Sequence, residues 1–286
     1  MTTPVVDPRG DEVHVWWAAL DVPRWRAAVL ERTLGADERL RADRYRFESD
    51  RRRFVVRRGL LRLLLARYVG CDPIDVGLRY GHAGKPELES PGVDADLRFN
   101  ASHARDLALV AIARGRRVGV DVEALRPLSD LDGVARACSS PREHAALRAL
   151  PPGRRTDAFL ALWTRKEAFV KATGDGLAFA PERVEVSVDP DEPACLRAVD
   201  GCRRAAAAWS LRPLPTGRGY VGAVVVEGPL GRLVWRDVDV DHDHRHRGRD
   251  ESSRTARVRA QQHSATPLEL SRPDSLLDAL EAHARR

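Results

Sequence analysis

Residues 163–176 read WTRKEAFVKATGDG. Trp163, Glu167 and Lys171 recur at i, i+4 and i+8, one stripe of a helix, and Gly174 and Gly176 supply the residue type at which helices stop. Toward the N-terminus the helical period runs back to residue 156. Before it, Pro151, Pro152 and Gly153 break off an earlier helix over residues 143–150. That helix is announced by Ser140, Pro141, Arg142 and Glu143, a capping box with proline at the first helical position. Toward the C-terminus, residues 183–188 alternate as a strand, residues 207–211 make a shorter one, and residues 220–226 form a continuous apolar run suited to a covered strand. A strand over residues 117–123 precedes the helices and completes one α/β half.

A second half lies N-terminal to it. Residues 13–20 read as a strand and residues 37–68 as a helix, with Phe54, Leu61, Leu64, Leu65 and Tyr68 on one face. Apolar or alternating stretches at 74–80, 97–101 and 107–113 follow, separated by Gly, Pro and Asp punctuation. The expected fold is therefore α+β, two similar α/β halves at residues 1–115 and 116–238. The halves share an order of elements but no visible sequence repeat. Beyond them, DHDHRHRGRDESSRTARVRAQQ carries almost no apolar side chains with which to offset the entropy of ordering, so residues 239–286 are expected to be mostly disordered, with a short terminal helix over 268–284. His242, His244 and His246 in that stretch read either as a transition-metal site or as solvated tail.

Bulk properties of the 286 residues, 43% hydrophobic and 31% charged, fit a globular chain. Cys71, Cys138, Cys195 and Cys202 form no CxxC pair, so free thiols in a reducing compartment are expected rather than a zinc site or disulfide framework. Asp7, Arg9, Asp11 and Glu12 stand where a signal peptide needs an apolar core, and no run reaches spanning length, which points to the cytoplasm. The net charge of +6 is concentrated in Arg39, Arg41, Arg44, Arg46, Arg51, Arg52, Arg53, Arg57, Arg58 and Arg62. An arginine-rich, G+C-biased genome would place half of these there for no functional reason.

The chemistry begins with GVDVE, residues 119–123. Strand alternation puts Asp121 and Glu123 on one face and Val120 and Val122 on the other. Paired oxygen ligands suit Mg²⁺, which favours carboxylates, waters and substrate phosphates. The alternative is an exposed strand edge decorated with acids. For Glu167 and Lys171 the alternative is an i, i+4 pair on a solvated helix face, with Trp163 simply packing. Upstream, Lys85 sits in a Gly84-Lys85-Pro86 turn, and Ser102 and His103 in FNASHA (residues 99–104) follow directly after a strand. A lysine point charge and Ser and His donors both suit phosphate. No Asp or oxyanion arrangement supports a hydrolase.

Taken in order, GKP, FNASHA, GVDVE and WTRKEAFVKATGDG resemble the signature of the 4'-phosphopantetheinyl transferases, specifically the surfactin-synthetase-activating (Sfp-type) branch with its W, KEA and Lys motif. The resemblance spans roughly residues 12–235. It implies a pseudo-twofold monomer with coenzyme A and Mg²⁺ between the halves. Asp121, Glu123 and Glu167 would ligate the metal, and Lys171 would contact the same diphosphate. Glu167 would accept the proton of an incoming serine. Lys85, Pro86, Ser102 and His103 match nucleotide-phosphate positions, while Arg41, Arg44 and Arg53 lie where the family sets cations against the 3'-phosphate. The implied acceptors are apo acyl or peptidyl carrier proteins of polyketide, nonribosomal peptide or fatty-acid synthases. Two departures stand out: Ala104 where many members have Ser, and Cys138 and Ser139 in ARACSSPRE (residues 135–143) where relatives have aromatics, near the expected carrier-docking region.

Two other readings compete. A catalytically silent coenzyme A or carrier-binding homologue would keep the fold, but the acids and the lysine are all present. A nucleic-acid-binding protein would use the basic helix over residues 39–62. It leaves the paired acids unexplained, and neither nucleic acid nor membrane is expected as a partner.

Overall fold

The computed structural model describes residues 7–81, 84–89, 96–174 and 180–238. Its first half opens with β1 (Glu12–Ala19), followed by α1 (Arg24–Glu31), α2 (Ala36–Ala42) and the 22-residue α3 (Glu48–Val69). A 3₁₀ turn at Pro73–Asp75 leads to the β2 (Leu78–Tyr80) and β3 (Pro86–Leu88) ribbon, then to β4 (Leu97–Ala104) and β5 (Leu107–Arg114). The second half holds β6 (Val118–Ala124), α4 (Leu131–Cys138), α5 (Pro141–Ala149) and the 22-residue α6 (Pro152–Thr173). After these come β7 (Val184–Val186), β8 (Leu196–Val199), α7 (Arg203–Ala206), β9 (Trp209–Pro213), β10 (Tyr220–Glu227) and β11 (Arg232–Asp237).

Two sheets lie face to face, each backed by one long helix. The first has strand order β11-β1-β5-β4, with β11 parallel to β1 and the other pairs antiparallel; the second is the antiparallel β6-β10-β9. Alternation sorts the core. Val13, Val15, Leu109 and Ala111 meet Val118, Val120, Val122 and Val224 between the sheets. Trp16, Ala18, Val110 and Ile112 turn the other way, onto Leu60, Leu61, Leu64 and Leu65 of α3. Ala223 and Val225 likewise pack on Phe159, Leu162 and Trp163 of α6. The α+β architecture of two similar halves is thus realised, and one strand by sequence from the second half, β11, lies in the first half's sheet.

Several local readings need correction. The helix expected over 37–68 is two helices: α2 ends at Ala42, and Phe47 is extended, with φ −104°, before α3 starts. The stretch at 74–80 begins in the 3₁₀ turn Pro73–Asp75, whose first residue proline presets, and only Leu78–Tyr80 is strand. Pro152 opens α6 at a position where the missing N–H costs nothing, so the Pro151-Pro152 pair starts that helix as well as separating it from α5. Ser102 and His103 lie inside β4, not after it. The capping box is present, with Ser140 Oγ accepting from Glu143 N and Glu143 Oε2 from Ser140 N. Gly174 closes α6 in the left-handed region, φ 83°.

The four cysteines are free thiols, and no described helix is long and apolar enough to cross a membrane. Residues 239–286, with their expected disorder, terminal helix and histidine run, lie outside the described residues, as does Gly176.

Candidate active site

At the seam of the two sheets, β4 faces β6 through side chains. Asn100 Oδ1 accepts from Val120 N at 2.9 Å, satisfying a strand N–H on the side of β6 away from β10. This bond sets the spacing at which Ser102, two residues along the same face of β4, donates to Asp121 Oδ1 at 2.8 Å. On its other side β6 is pressed against α6. A Cβ at Gly119 would lie 2.0 Å from Ala168 O and 2.4 Å from Ala172 N, so only glycine allows helix and strand to meet this closely. Gly119, Asp121 and Glu123 share that face, which delivers both carboxylates to the helix carrying Glu167 and Lys171.

Lys171 reaches across rather than along its helix. Its Nζ donates to Asp121 Oδ1 at 2.6 Å and to Ser102 Oγ at 3.1 Å. The solvated i, i+4 pair considered from sequence is therefore not what this stripe makes. Asp121 and Glu123 are buried, and Asp121 Oδ2 has no hydrogen-bond partner among the described residues. Burial opposes the charge on Lys171, yet the Asp121 and Glu167 carboxylates more than offset it and raise the ammonium above its ordinary value. Burial pushes Glu167 up to about 7, against the pull of Lys171, and the Asp121 charge adds to the rise. Trp163, one helical turn before Glu167, is fully buried in the core.

Alternation in β4 sends His103 the opposite way, to α3, where the Arg57 guanidinium lies against its ring nitrogens. Burial, then Arg57, Lys171 and Arg53, lower the imidazole to about 3, so it is neutral and accepts from the arginine. Arg53 is exposed one turn before Arg57. Arg57 is the cation that the sequence reading passed over; its signal was the i, i+4 spacing from Arg53 on a helix facing β4. Arg41 stands over the Phe54 ring at 5.4 Å from its centroid, a ring that Arg57 also covers at 5.8 Å, and Arg44 is exposed in the turn after α2. Arg58 and Arg62 point inward to Glu38, which removes them from any phosphate-binding surface.

Lys85, in the turn before Pro86 begins β3, donates to Lys171 O at 2.5 Å and contacts Val118 O at 3.5 Å. Burial lowers it to about 8. It thus staples the β2–β3 ribbon to the C-terminal turn of α6, where the helix dipole favours a cation.

Among the described residues no group of three or more carboxylates, imidazoles or thiols is already gathered as a metal cage. The donor set nevertheless fits a hard divalent cation: buried Asp121 with one unpartnered oxygen, Glu123 on the same strand face, and Glu167 on the facing helix.

Residues 117–225 match the 4'-phosphopantetheinyl transferase superfamily profile (ACPS), and residues 17–114 match the N-terminal 4'-phosphopantetheinyl transferase profile. The 4'-phosphopantetheinyl transferase HetI of Nostoc sp. is 43% identical over 218 residues, 76% of this chain and 89% of that protein. The chain belongs to the 4'-phosphopantetheinyl transferase family. A putative 4'-phosphopantetheinyl transferase of Synechocystis sp. is 37% identical over 171 residues, covering 58% of this chain and 66% of that one. The 4'-phosphopantetheinyl transferase of Bacillus subtilis is 29% identical over 168 residues, 59% and 72% of the two chains. In this transferase the profile boundary at residues 114–117 coincides with the turn from β5 to β6, so each matched region brings its own wall of the site: His103 and Arg57 from the first, Asp121 and Lys171 from the second.

Proposed function

We propose that this transferase is of the surfactin-synthetase-activating branch and moves 4'-phosphopantetheine from coenzyme A to a serine of apo acyl or peptidyl carrier proteins, acting as a cytoplasmic monomer. The observation that carries this reading is the Lys171–Asp121–Ser102 group, with Glu167 beside it and the Arg57–His103 pair on the opposite wall.

The chemistry asks for three things that these residues can supply. The adenosine end of coenzyme A needs cations, and Arg53 and Arg57 offer them beside His103, a neutral imidazole with a donor for a phosphate oxygen. The diphosphate needs charge stabilisation at its nonbridging oxygens. Lys171 can turn from Asp121 to a phosphate while Ser102 keeps the carboxylate oriented. The serine hydroxyl needs a base, and the Glu167 carboxylate, beside Lys171 and Asp121, can accept its proton. Glu167 takes the serine proton, serine Oγ bonds to the β-phosphorus, and the bond from that phosphorus to the bridging oxygen breaks, releasing adenosine 3',5'-bisphosphate.

Asp121, Glu123 and Glu167 are the residues that would hold Mg²⁺. When bound, the ion would neutralise diphosphate charge that one lysine cannot balance alone.

Incubation with coenzyme A, Mg²⁺ and a panel of apo carrier proteins, followed by intact-mass measurement of the carriers, tests the reading. A gain of one phosphopantetheine is expected. No gain on any carrier would leave a coenzyme A- or carrier-binding homologue without transferase activity toward that panel.

A further inference from the structure

The two halves share a buried device that their sequences do not advertise. In the second half Glu143, third residue of α5, accepts from Ser140 N at 2.8 Å, from Val186 N at 2.7 Å and from Lys166 Nζ at 2.6 Å. Lys166 also donates to Pro181 O, at 2.9 Å, in the 3₁₀ turn Pro181–Arg183. In the first half Glu38, third residue of α2, accepts from Gly35 N at 3.0 Å, from Arg58 Nε at 2.7 Å and from Arg62 Nε. Arg62 donates onward to Pro73 O at 3.1 Å, Ile74 O at 3.2 Å and Val76 O at 3.1 Å, again in and just after a 3₁₀ turn.

The correspondence extends to position. Arg62 and Lys166 each stand eight residues before the left-handed glycine, Gly70 or Gly174, that caps a 22-residue helix. Each joins the helix to the short helix before it and the turn after it. What differs is the next residue. After Arg62 comes Leu63, which packs against the first half's core; after Lys166 comes Glu167.

We propose that Glu143 and Lys166 are positioning residues for catalysis, fixing the rotation and axial setting of α6 so that Glu167 and Lys171 meet Asp121. The proposal rests on the transferase reading above. Lys166 has no exposed surface and cannot itself touch coenzyme A or a carrier. Its ammonium pins this part of α6 to Glu143 and to the Pro181 carbonyl, and Glu167 is the next residue along the helix. The Glu38–Arg62 clamp is the built-in control: the same chemistry, in the same helix position, with no carboxylate of the site attached.

The test compares the double variant Glu143→Gln/Lys166→Met, which removes both charges and so leaves neither stranded, with Arg62→Met, in which Glu38 keeps Arg58. Both are expected to lose thermal stability. The double variant should lose at least about tenfold in kcat, as a misplaced reacting group does, with KM for coenzyme A within about threefold because Arg57 and His103 are untouched. Arg62→Met should keep kcat within about twofold. If the double variant does not fold, Glu143→Gln alone carries the same comparison. Wild-type kcat in the folded variant, or an equal kcat loss in Arg62→Met at matched Tm, would overturn the proposal. Absence of transfer by the wild-type protein would instead strike the transferase reading itself.

Discussion

Lys171 Nζ stands 2.6 Å from Asp121 Oδ1, a bond that ties the last turn of α6 to the middle of β6. Ser102 Oγ bonds the same carboxylate oxygen from β4, at 2.8 Å, so the first half also takes part. The second oxygen of Asp121 is left buried and unpartnered among the described residues. An acid held on one side and open on the other is prepared for a further positive partner.

Replacing Glu123 or Glu167 by Gln keeps shape and removes charge. Transfer is expected to fall by at least about 100-fold, a loss typical of removing one preorganised electrostatic group, while circular dichroism and Tm change little. Full activity in either variant would remove the carboxylate set from the mechanism.

Arg57→Ala should raise KM for coenzyme A by roughly tenfold and leave kcat within a few-fold, since a charge-assisted hydrogen bond is worth about 1.5–3 kcal/mol. The effect should shrink as salt screens the remaining arginines. A kcat loss with unchanged KM would place Arg57 at the reacting centre instead.

Gly119→Ala puts a methyl group where the Ala168 carbonyl already stands, 2.0 Å away. Helix α6 must then lift from β6, at a cost of about 1–3 kcal/mol or more. Tm and transfer should fall together, because Glu167 and Lys171 ride on the displaced helix. A stable, active Gly119→Ala protein would contradict the close packing.

Acid should destabilise the protein in a defined window. Burial, then the Arg236 charge, lower His14 to about 4 from 6.5, and its Nδ1 shares a hydrogen bond with Tyr68 Oη at 2.7 Å. Between these values the unfolded chain binds the extra proton, so stability rises with pH and is lost as pH falls from about 6.5 toward 4. At pH 5 the loss is roughly 2 kcal/mol, and His103, lowered to about 3, adds to it in the same direction. Thermal scans from pH 7 to 5 should show Tm falling by several degrees, and less steeply in His14→Gln. A flat Tm over that range would show that His14 is not held neutral by burial.

Removing residues 239–286 should leave kcat within about twofold, since every group of the site lies between residues 38 and 187 and the first sheet is closed by β11 at Asp237. Cutting before Arg232 should behave differently. It strips β11 from β1 and bares a strand edge, so aggregation on heating is expected.

Much of this was readable along the chain because the signals were local. GVDVE alternates, and alternation alone puts Asp121 and Glu123 on one face. The Ser140–Glu143 box is a contact across three residues, and Gly174 ends a helix whose period is visible without a partner. Other contacts were set by partners distant in the chain. Arg57 looked like its neighbours until β4 brought His103 to it. Lys85 finds the Lys171 carbonyl only because α6 is packed beside its turn. The strand β11 reads weakly by itself; its place comes from pairing with β1, more than 200 residues earlier.

The sequence by itself determined the alternation of helices and strands, and it set Asp121 and Glu123 on one strand face and Glu167 and Lys171 on one helix stripe, because periodicity, caps and turns act between near neighbours. Only the tertiary structure decided which arginine meets His103, that Lys171 bonds Asp121 rather than Glu167, and that Arg58, Arg62 and Lys166 turn inward to glutamates. Those choices depend on which helix and strand faces are pressed together, and on the need of each buried charge for a partner, which no local spacing specifies.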